Sequence, residues 1–171
     1  MIITEVPFRM SFFGGGTDFP TFYNEYGGKV ISSSIDKYCY VSVRHLPPFF
    51  EYANNITYST RECTKEVGDI KHPAIREAMK FLNMRDLSLS YDADLPAQSG
   101  LGTSSAFAVA LLMSFYSLKG KYVDKRRLAK EAIYLERVLC HESGGEQDQI
   151  ASAYGGLNKI EFKEGDFEVS P

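Results

Sequence analysis

The sequence has few of the residues from which disulfide-bonded or zinc-binding proteins are built. Its three cysteines, Cys39, Cys63 and Cys140, are odd in number and scattered, and no C-x-x-C pair occurs. The three histidines are equally dispersed. Neither a disulfide framework nor a zinc site is therefore indicated. The adjacent pair Cys140 and His141 stands at the end of a predicted helix and is interpreted as structural.

Long apolar runs and a large net charge are also missing. The longest apolar run, residues 106–115, is interrupted by Ser114 and is too short to span a bilayer. The stretch from Met1 to Val6 has no basic flank and does not resemble a signal peptide. A formal net charge of -3 gives no electrostatic reason to expect nucleic acid or an anionic membrane as a partner. We therefore expect a soluble, cytoplasmic protein.

Predicted strands and helices mix without strict alternation, and neither an internal repeat nor a linker interrupts them. With 171 residues, the chain is long enough for one domain with a real core. The pattern predicts an α+β fold, with a mixed or largely antiparallel sheet and helices packed on one side.

Several individual elements can be predicted from periodicity. Phe8, Met10 and Phe12 alternate with polar residues and should share one face of a half-buried strand. Two β-rich runs, 29–35 and 37–44, are split at Asp36 and suggest a hairpin. The tail from residue 163 is polar, and we expect no further element there.

A loop rich in glycine and hydroxyl residues joins a predicted strand at 87–93 to an apolar helix at 107–118. It contains Gly100 and Gly102 and then three hydroxyl residues in a row. Glycines let the backbone approach a ligand, and the following helix directs free N–H groups and its positive dipole end to the same point. The loop therefore predicts a phosphate site. The alternative is a simple connection with Thr103 or Ser104 as the helix N-cap.

A second glycine loop, Gly14-Gly15-Gly16, is followed by Thr17 and Asp18. Three consecutive glycines cost more backbone entropy than a structural turn requires. The loop could form a pocket wall in which Asp18 accepts hydrogen bonds from a polyhydroxy ligand. The alternative is a turn in which Asp18 caps the next helix.

Two acidic residues interrupt otherwise structural patterns. On a predicted helix, the neighbours of Glu136 at three and four positions are all apolar, so its carboxylate should emerge from a packed face. Such a group must be paired, protonated or bound to a cation, and an ion pair with Arg137 or Arg9 is as consistent as a metal. Asp148 opens a short helix, where it could stabilise the helix dipole or serve a phosphoryl transferase near an attacking hydroxyl.

Three motifs in fixed order resemble those of the GHMP kinases, the family of galactokinase, homoserine kinase and mevalonate kinase. The segment from Pro7 to Asp18 looks like the substrate motif of the family, and the segment from Pro96 to Ser105 is similar to its ATP-phosphate loop. The segment from Gly145 to Gly156 matches the part that carries its catalytic Asp. The resemblance runs over essentially the whole chain and implies a ribosomal protein S5 domain 2-like fold for residues 1–171.

The resemblance also implies an activity and its residues. An ATP- and Mg²⁺-dependent phosphotransferase would use Asp148 as the base or the electrostatic partner of the substrate hydroxyl, and Arg9 to orient it. Ser104 and Glu136 would ligand Mg²⁺. The nucleotide-binding residues implied are Pro96, Ser99, Gly100, Leu101, Gly102, Thr103, Ser104 and Ser105. The substrate-binding residues implied are Gly14, Gly15, Gly16, Thr17 and Asp18.

The substrate motif departs from the usual pattern of the family. Where Gly-Glu-His or similar is usual, this chain has Gly-Gly-Gly-Thr, which leaves room for a bulkier sugar. The variant looks most like the sugar 1-kinases that act on heptose 7-phosphate, with galactose- or fucose-type kinases and a non-catalytic nucleotide- and sugar-binding relative as alternatives. Family members are usually about twice this length, with a C-terminal domain that completes the cleft. We therefore expect this chain alone to turn over slowly or not at all.

Overall fold

A seven-stranded mixed sheet organises the chain. The computed structural model describes residues 1–96 and 99–171; Ala97 and Gln98 of the predicted phosphate loop lie outside the described residues. The strands are β1 Ile2–Phe13, β2 Gly28–His45, β3 Asn54–Thr57, β4 Arg61–Thr64, β5 Leu87–Ala93, β6 Leu157–Lys163 and β7 Asp166–Ser170. The α-helices are α1 Pro20–Tyr26, α2 Pro73–Phe81, α3 Thr103–Leu118, α4 Lys125–Tyr134 and α5 Gln147–Tyr154. A 3₁₀ turn forms at Val67–Asp69 and a π-helical turn, Leu135–Leu139, continues α4.

The long strand β2 is the centre of the sheet. The strand order is β4-β3-β5-β2-β6-β7, and β1 pairs along β2. The pairing is antiparallel except between β3 and β5, which are parallel. The prediction of an α+β fold with a mixed sheet is confirmed.

The helices cover one face of this sheet, and α3 passes through the middle of the core. On β2 the buried side chains alternate with more exposed ones, as expected for a strand with one covered face. Nearly every side of α3 is buried, from Thr103 to Tyr116, which confirms the prediction drawn from its apolar sequence. A helix surrounded by core holds its N-terminal N–H groups in fixed positions. Among the helices of residues 1–96 and 99–171, none is long and apolar enough to cross a membrane.

The hairpin predicted around Asp36 is wrong, because β2 runs without interruption from Gly28 to His45. Pro7 of β1 pairs with Tyr38, but Arg9 pairs with Ser34. Three residues of β2, Ile35 to Lys37, therefore lie opposite Phe8 alone. The irregularity that looked like a turn in the sequence is a β-bulge.

The bulge also overturns the prediction that Phe8, Met10 and Phe12 share one face. Phe8 is fully buried, whereas Met10 and Phe12 are 42% and 51% exposed. Arg9, next to Phe8, contacts α5 on the helix side of the sheet. A bulge breaks the period of two on which the prediction depended, and its consequence is that Arg9 is directed toward the helices.

The prediction that the tail forms no further element is wrong, because β7 forms an antiparallel hairpin with β6. Lys163 pairs with Asp166, so the connection has only two residues, Glu164 and Gly165. Both have positive φ, 53° and 75°, as a type I′ turn requires. Phe167 then packs against a buried cluster that includes Tyr23 and Ile160.

Candidate active site

Four separate parts of the chain meet where α3 and α5 begin. Arg9 comes from β1 and Glu136 from the π-helical turn after α4. Residues 99–105 supply the glycine loop and the start of α3, and Asp148 lies in the first turn of α5. Hydrogen bonds connect all four parts into one network, which we call the α3–α5 network.

Arg9 and Asp148 form a two-point ion pair at the open side of this network. Nε of Arg9 donates to Oδ1 at 2.8 Å, and Nη2 lies 2.6 Å from Oδ2. Two parallel N–H bonds to one carboxylate fix both orientation and position. The side chain of Asp148 is still 26% exposed, compared with 11% for Arg9, so a ligand can reach the carboxylate from solvent.

The same arginine holds the glycine loop. Its backbone N–H donates to the carbonyl of Leu101 at 3.3 Å, and Nη1 donates to the carbonyl of Gly100 at 3.4 Å. A Cβ on Gly102 would lie 3.2 Å from Nε of Arg9. The glycine loop and Asp148 therefore share one anchor.

The N-cap of α3 contradicts the simpler interpretation of the loop. It is Gly102, in the left-handed region with φ 75°, and among residues 1–96 and 99–171 no side chain caps the first turn. The hydroxyls of Ser104 and Ser105 are directed to Glu136 instead. The proposed N-cap roles of Thr103 and Ser104 are thus wrong, whereas phosphate binding by the loop stays a prediction.

Glu136 is buried, with 1% of its surface exposed, as its position among apolar neighbours predicted. Ser104 Oγ donates to Oε1 at 2.7 Å, and Oε2 accepts from Ser105 Oγ at 2.7 Å and from Nε2 of Gln149. Neither arginine considered as a partner pairs with it: Arg9 binds Asp148, and Arg137 donates to the carbonyl of Gly145 at 2.6 Å.

Glu136 lies in the π-helical turn. The N–H of Cys140 bonds to the carbonyl of Leu135, five residues earlier, at 2.9 Å. A turn of this kind adds a residue to the helical repeat and is frequent at functional sites. Glu136 is the second residue of this turn, and its side chain faces the start of α3.

Asp18 lies beneath the site and joins the Gly14–Gly16 loop to α5. Its carboxylate is 1% exposed and accepts from the backbone N–H groups of Gly16 at 3.0 Å and Gln147 at 3.1 Å. A Cβ on Gly145 would lie 1.9 Å from Oδ2, so only glycine fits there. The alternative in which Asp18 caps α1 is wrong, because Phe19 is that cap residue and Asp18 binds the first N–H of α5 instead. A contact of Asp18 with sugar hydroxyls stays a prediction.

Sequence reasoning missed several supporting residues. Gln149 was not recognised, although a buried amide on a short apolar helix is the same kind of exception as Glu136. Ser105 was assigned to nucleotide binding, and its bond to Oε2 of Glu136 was not predicted. Arg137 was considered only as an ion-pair partner, but it holds the loop before α5 through Gly145. No local signal indicates that contact.

Glu146, which precedes α5, is destabilised by burial in its charged form. Burial raises its pKa above the ordinary value of 4.5; the Tyr23 hydroxyl, which donates to it at 3.0 Å, and Arg137 oppose the rise, and Asp18 adds to it. The unfolded chain therefore releases this proton at lower pH than the folded chain. The free energy of unfolding consequently falls as the pH rises from about 4.5 through the raised value.

We expect Glu146→Gln to raise the melting temperature at pH 7, because the amide still accepts the Tyr23 hydroxyl bond without a buried charge. Near pH 4 the glutamate is mostly protonated in both the folded and the unfolded chain, so the variant and the wild type should have similar melting temperatures. Thermal unfolding followed by circular dichroism across this range measures the difference. A difference that does not change with pH would contradict the assignment.

Comparison with known proteins identifies the family to which this sequence is similar. The model of the GHMP kinases N terminal domain matches residues 69–156. A D-glycero-alpha-D-manno-heptose 7-phosphate kinase of Campylobacter jejuni is 29% identical over 94% of this chain and 50% of its own length. A galactokinase of Schizosaccharomyces pombe is 33% identical over 47% of this chain and 16% of its own.

Solved structures agree with the architecture. A D-glycero-D-manno-heptose 1-phosphate kinase of Bacteroides thetaiotaomicron superposes with a TM-score of 0.90 at 25% identity, over 100% of this chain and 60% of that one. A galactokinase of Lactococcus lactis complexed with galactose has a TM-score of 0.74 at 19% identity, over 99% and 47%, which supports the fold alone. The chain spans about half the length of the relative from Campylobacter jejuni. The sheet and helices of this chain form the ribosomal protein S5 domain 2-like fold. The family match over residues 69–156 shows that the chain belongs to the GHMP kinases.

Proposed function

We propose that the α3–α5 network is the N-terminal half of a kinase active site that transfers the γ-phosphoryl group of ATP to a sugar hydroxyl. The observation that carries this proposal is the Arg9 and Asp148 ion pair, anchored to the glycine loop that opens α3. One small volume thereby contains a loop suited to phosphates, a cationic side chain and a reachable carboxylate. Phosphoryl transfer depends chiefly on positioning and on stabilising charge, and these groups supply both.

The residues near Glu136 fit a magnesium ion. Mg²⁺ takes oxygen ligands and is usually held by one or two carboxylates together with phosphate oxygens and waters. Ser104 Oγ and Glu136 Oε1 are two such oxygens, 2.7 Å apart at the start of α3. Ser104 and Glu136 would hold the ion, which would neutralise phosphate charge when bound.

Arg9 and Asp148 have separable roles in this proposal. The carboxylate of Asp148 accepts the hydrogen bond of the substrate hydroxyl and then its proton. The guanidinium of Arg9 keeps that carboxylate oriented and faces the developing charge on the transferred group. Because Arg9 also holds Gly100 and Leu101, the acceptor side and the phosphate loop stay in register.

A sugar phosphate is the substrate class that we propose, with the anomeric hydroxyl of heptose 7-phosphate as the acceptor. The relative from Campylobacter jejuni is named for heptose 7-phosphate and the one from Bacteroides thetaiotaomicron for heptose 1-phosphate, so both names support a heptose phosphate and the first alone supports the 7-phosphate. A Cβ on Gly16 would meet nothing within 4 Å, whereas one on Gly14 would lie 1.8 Å from the carbonyl oxygen of Lys29, so the loop borders open space at Gly16. A galactose- or fucose-type kinase is the second candidate, because relatives with those names match parts of this chain.

Two measurements test the function. Isothermal titration of this chain should show ADP binding that Mg²⁺ strengthens. An ADP-release screen with heptose 7-phosphate, galactose, fucose and mevalonate should give turnover with a sugar phosphate in a protein as long as the relatives, and little or none with this chain alone. Absence of nucleotide binding would reject the kinase, and binding without turnover on any sugar would favour a non-catalytic relative.

A further inference from the structure

The three donors to Glu136 are divided unequally between its two oxygens. Among the described residues, Oε1 accepts from Ser104 alone, which is exposed, whereas Oε2 accepts from Ser105 and Gln149, both buried. The carboxylate thus has an open side and a closed side. On the open side the donor that a ligand would replace is exposed, and on the closed side both donors are buried.

Two different helices make the closed side. Ser105 belongs to the first turn of α3, and Gln149 to the first turn of α5. Both donors are neutral, and no arginine or lysine in the described part of the chain forms an ion pair with Glu136. The orientation of the carboxylate therefore depends on these hydrogen bonds and not on a counter-charge.

Gln149 is not explained by packing. Its side chain is fully buried, and within residues 1–96 and 99–171 its Oε1 has no hydrogen-bond partner. An unpaired buried acceptor is destabilising, and Leu or Met of similar volume would avoid that cost. Reversing the amide would bring its oxygen against the carboxylate. The one favourable polar contact of this side chain is therefore the bond from Nε2 to Glu136.

We propose that Ser105 and Gln149 are positioning residues that hold Oε2 of Glu136 and so leave Oε1, with Ser104 Oγ, for the divalent cation of the nucleotide. This inference rests on the proposed function. Gln149 directly follows Asp148, so one turn of α5 sets both the metal ligand and the proposed catalytic carboxylate. Substituting a residue that orients a metal ligand by a hydrogen bond to the ligand's other polar atom typically lowers metal affinity by about 10–100-fold.

Titration of this chain with ADP, in the presence and absence of Mn²⁺, tests the proposal. The measured quantity is the factor by which Mn²⁺ raises the affinity for ADP. We expect Gln149→Met and Ser105→Ala each to lower this factor by about 10-fold, and Gln149→Met to leave the affinity for metal-free ADP unchanged. Ser152→Ala on α5 and Ser114→Ala on α3 are matched controls, because each removes a buried hydroxyl that does not contact Glu136.

The outcomes separate this inference from the function on which it rests. If the wild type binds ADP without any effect of Mn²⁺, the metal site and this inference are both rejected. If the wild type responds to Mn²⁺ and both variants respond equally well, the function stands and the positioning roles are rejected. If the two serine controls lower the Mn²⁺ factor as much as the two variants do, the effect is due to packing, and the positioning roles of Ser105 and Gln149 are rejected. If Gln149→Met does not fold, Ser105→Ala alone decides, since it removes one oxygen atom from a helix that Ala favours.

Discussion

Replacing Asp148 by asparagine should lower kcat of a protein as long as the relatives by about 10²–10⁴-fold, the range that positioned acid–base groups contribute. Asparagine has nearly the same shape, but its amide nitrogen cannot accept a proton from the substrate. It also offers Arg9 one acceptor in place of the two that the carboxylate provides at 2.6 and 2.8 Å. Steady-state assay of ADP release measures the loss.

Nucleotide binding should survive this substitution, because the glycine loop contacts Arg9 and not Asp148. Asp166→Asn is the matched control. That aspartate also pairs with an arginine, Arg126 at 2.6 Å, but on the β7 hairpin. We expect it to retain wild-type kcat.

The alternative role of Asp148, stabilising the first turn of α5, predicts a different result for Asp148→Asn. A lost helix-dipole interaction costs about 0.3–1 kcal/mol, so the melting temperature would fall while kcat stayed the same. Undiminished turnover in Asp148→Asn would therefore leave the residue a purely structural role.

Much of the fold could be predicted because its signals are local. The strand at 87–93 agrees with β5, and the apolar segment after the glycine loop is the buried helix α3. Asp124 caps α4, as Asp in front of a helical stripe predicts, and accepts from the N–H of Arg127 at 2.9 Å. Each of these depends on residues only a few positions apart.

The parts that sequence reasoning missed depend on residues far apart in the chain. The direction of Arg9 follows from surplus residues on β2, which are invisible when β1 is considered alone. Asp18 binds the N–H of Gln147, 129 positions later, and Ser105 binds Glu136 across 31 positions. The β6–β7 hairpin was different, since Glu164-Gly165 between two alternating runs was a signal that could have been read.

Replacing Glu136 by glutamine should change activity and stability in opposite directions. We expect kcat to fall by about 10²–10³-fold, the loss typical when one preorganised electrostatic group is removed from an active site, and the dependence on Mg²⁺ to weaken. The melting temperature should stay the same or rise, because a buried carboxylate with only neutral donors is costly. The new amide is satisfied in either orientation. Its oxygen in the place of Oε2 accepts from Ser105 and Gln149 as the carboxylate does, and its nitrogen there would donate to Ser105 Oγ and, once the Gln149 amide is reversed, to the unpaired Oε1 of Gln149.

Glu131→Gln on α4 is the control with the reverse expectation. Its carboxylate accepts from the Tyr116 hydroxyl at 2.7 Å and pairs with Arg127 at 2.7 Å, so its charge is compensated and lies outside the α3–α5 network. We expect a small loss of melting temperature and unchanged kcat. Kinetics and thermal unfolding of both variants therefore distinguish a carboxylate held for a cation from one held for structure. If Glu136→Gln lost stability and kept its turnover, Glu136 would belong to the second kind and the proposed magnesium site would be wrong.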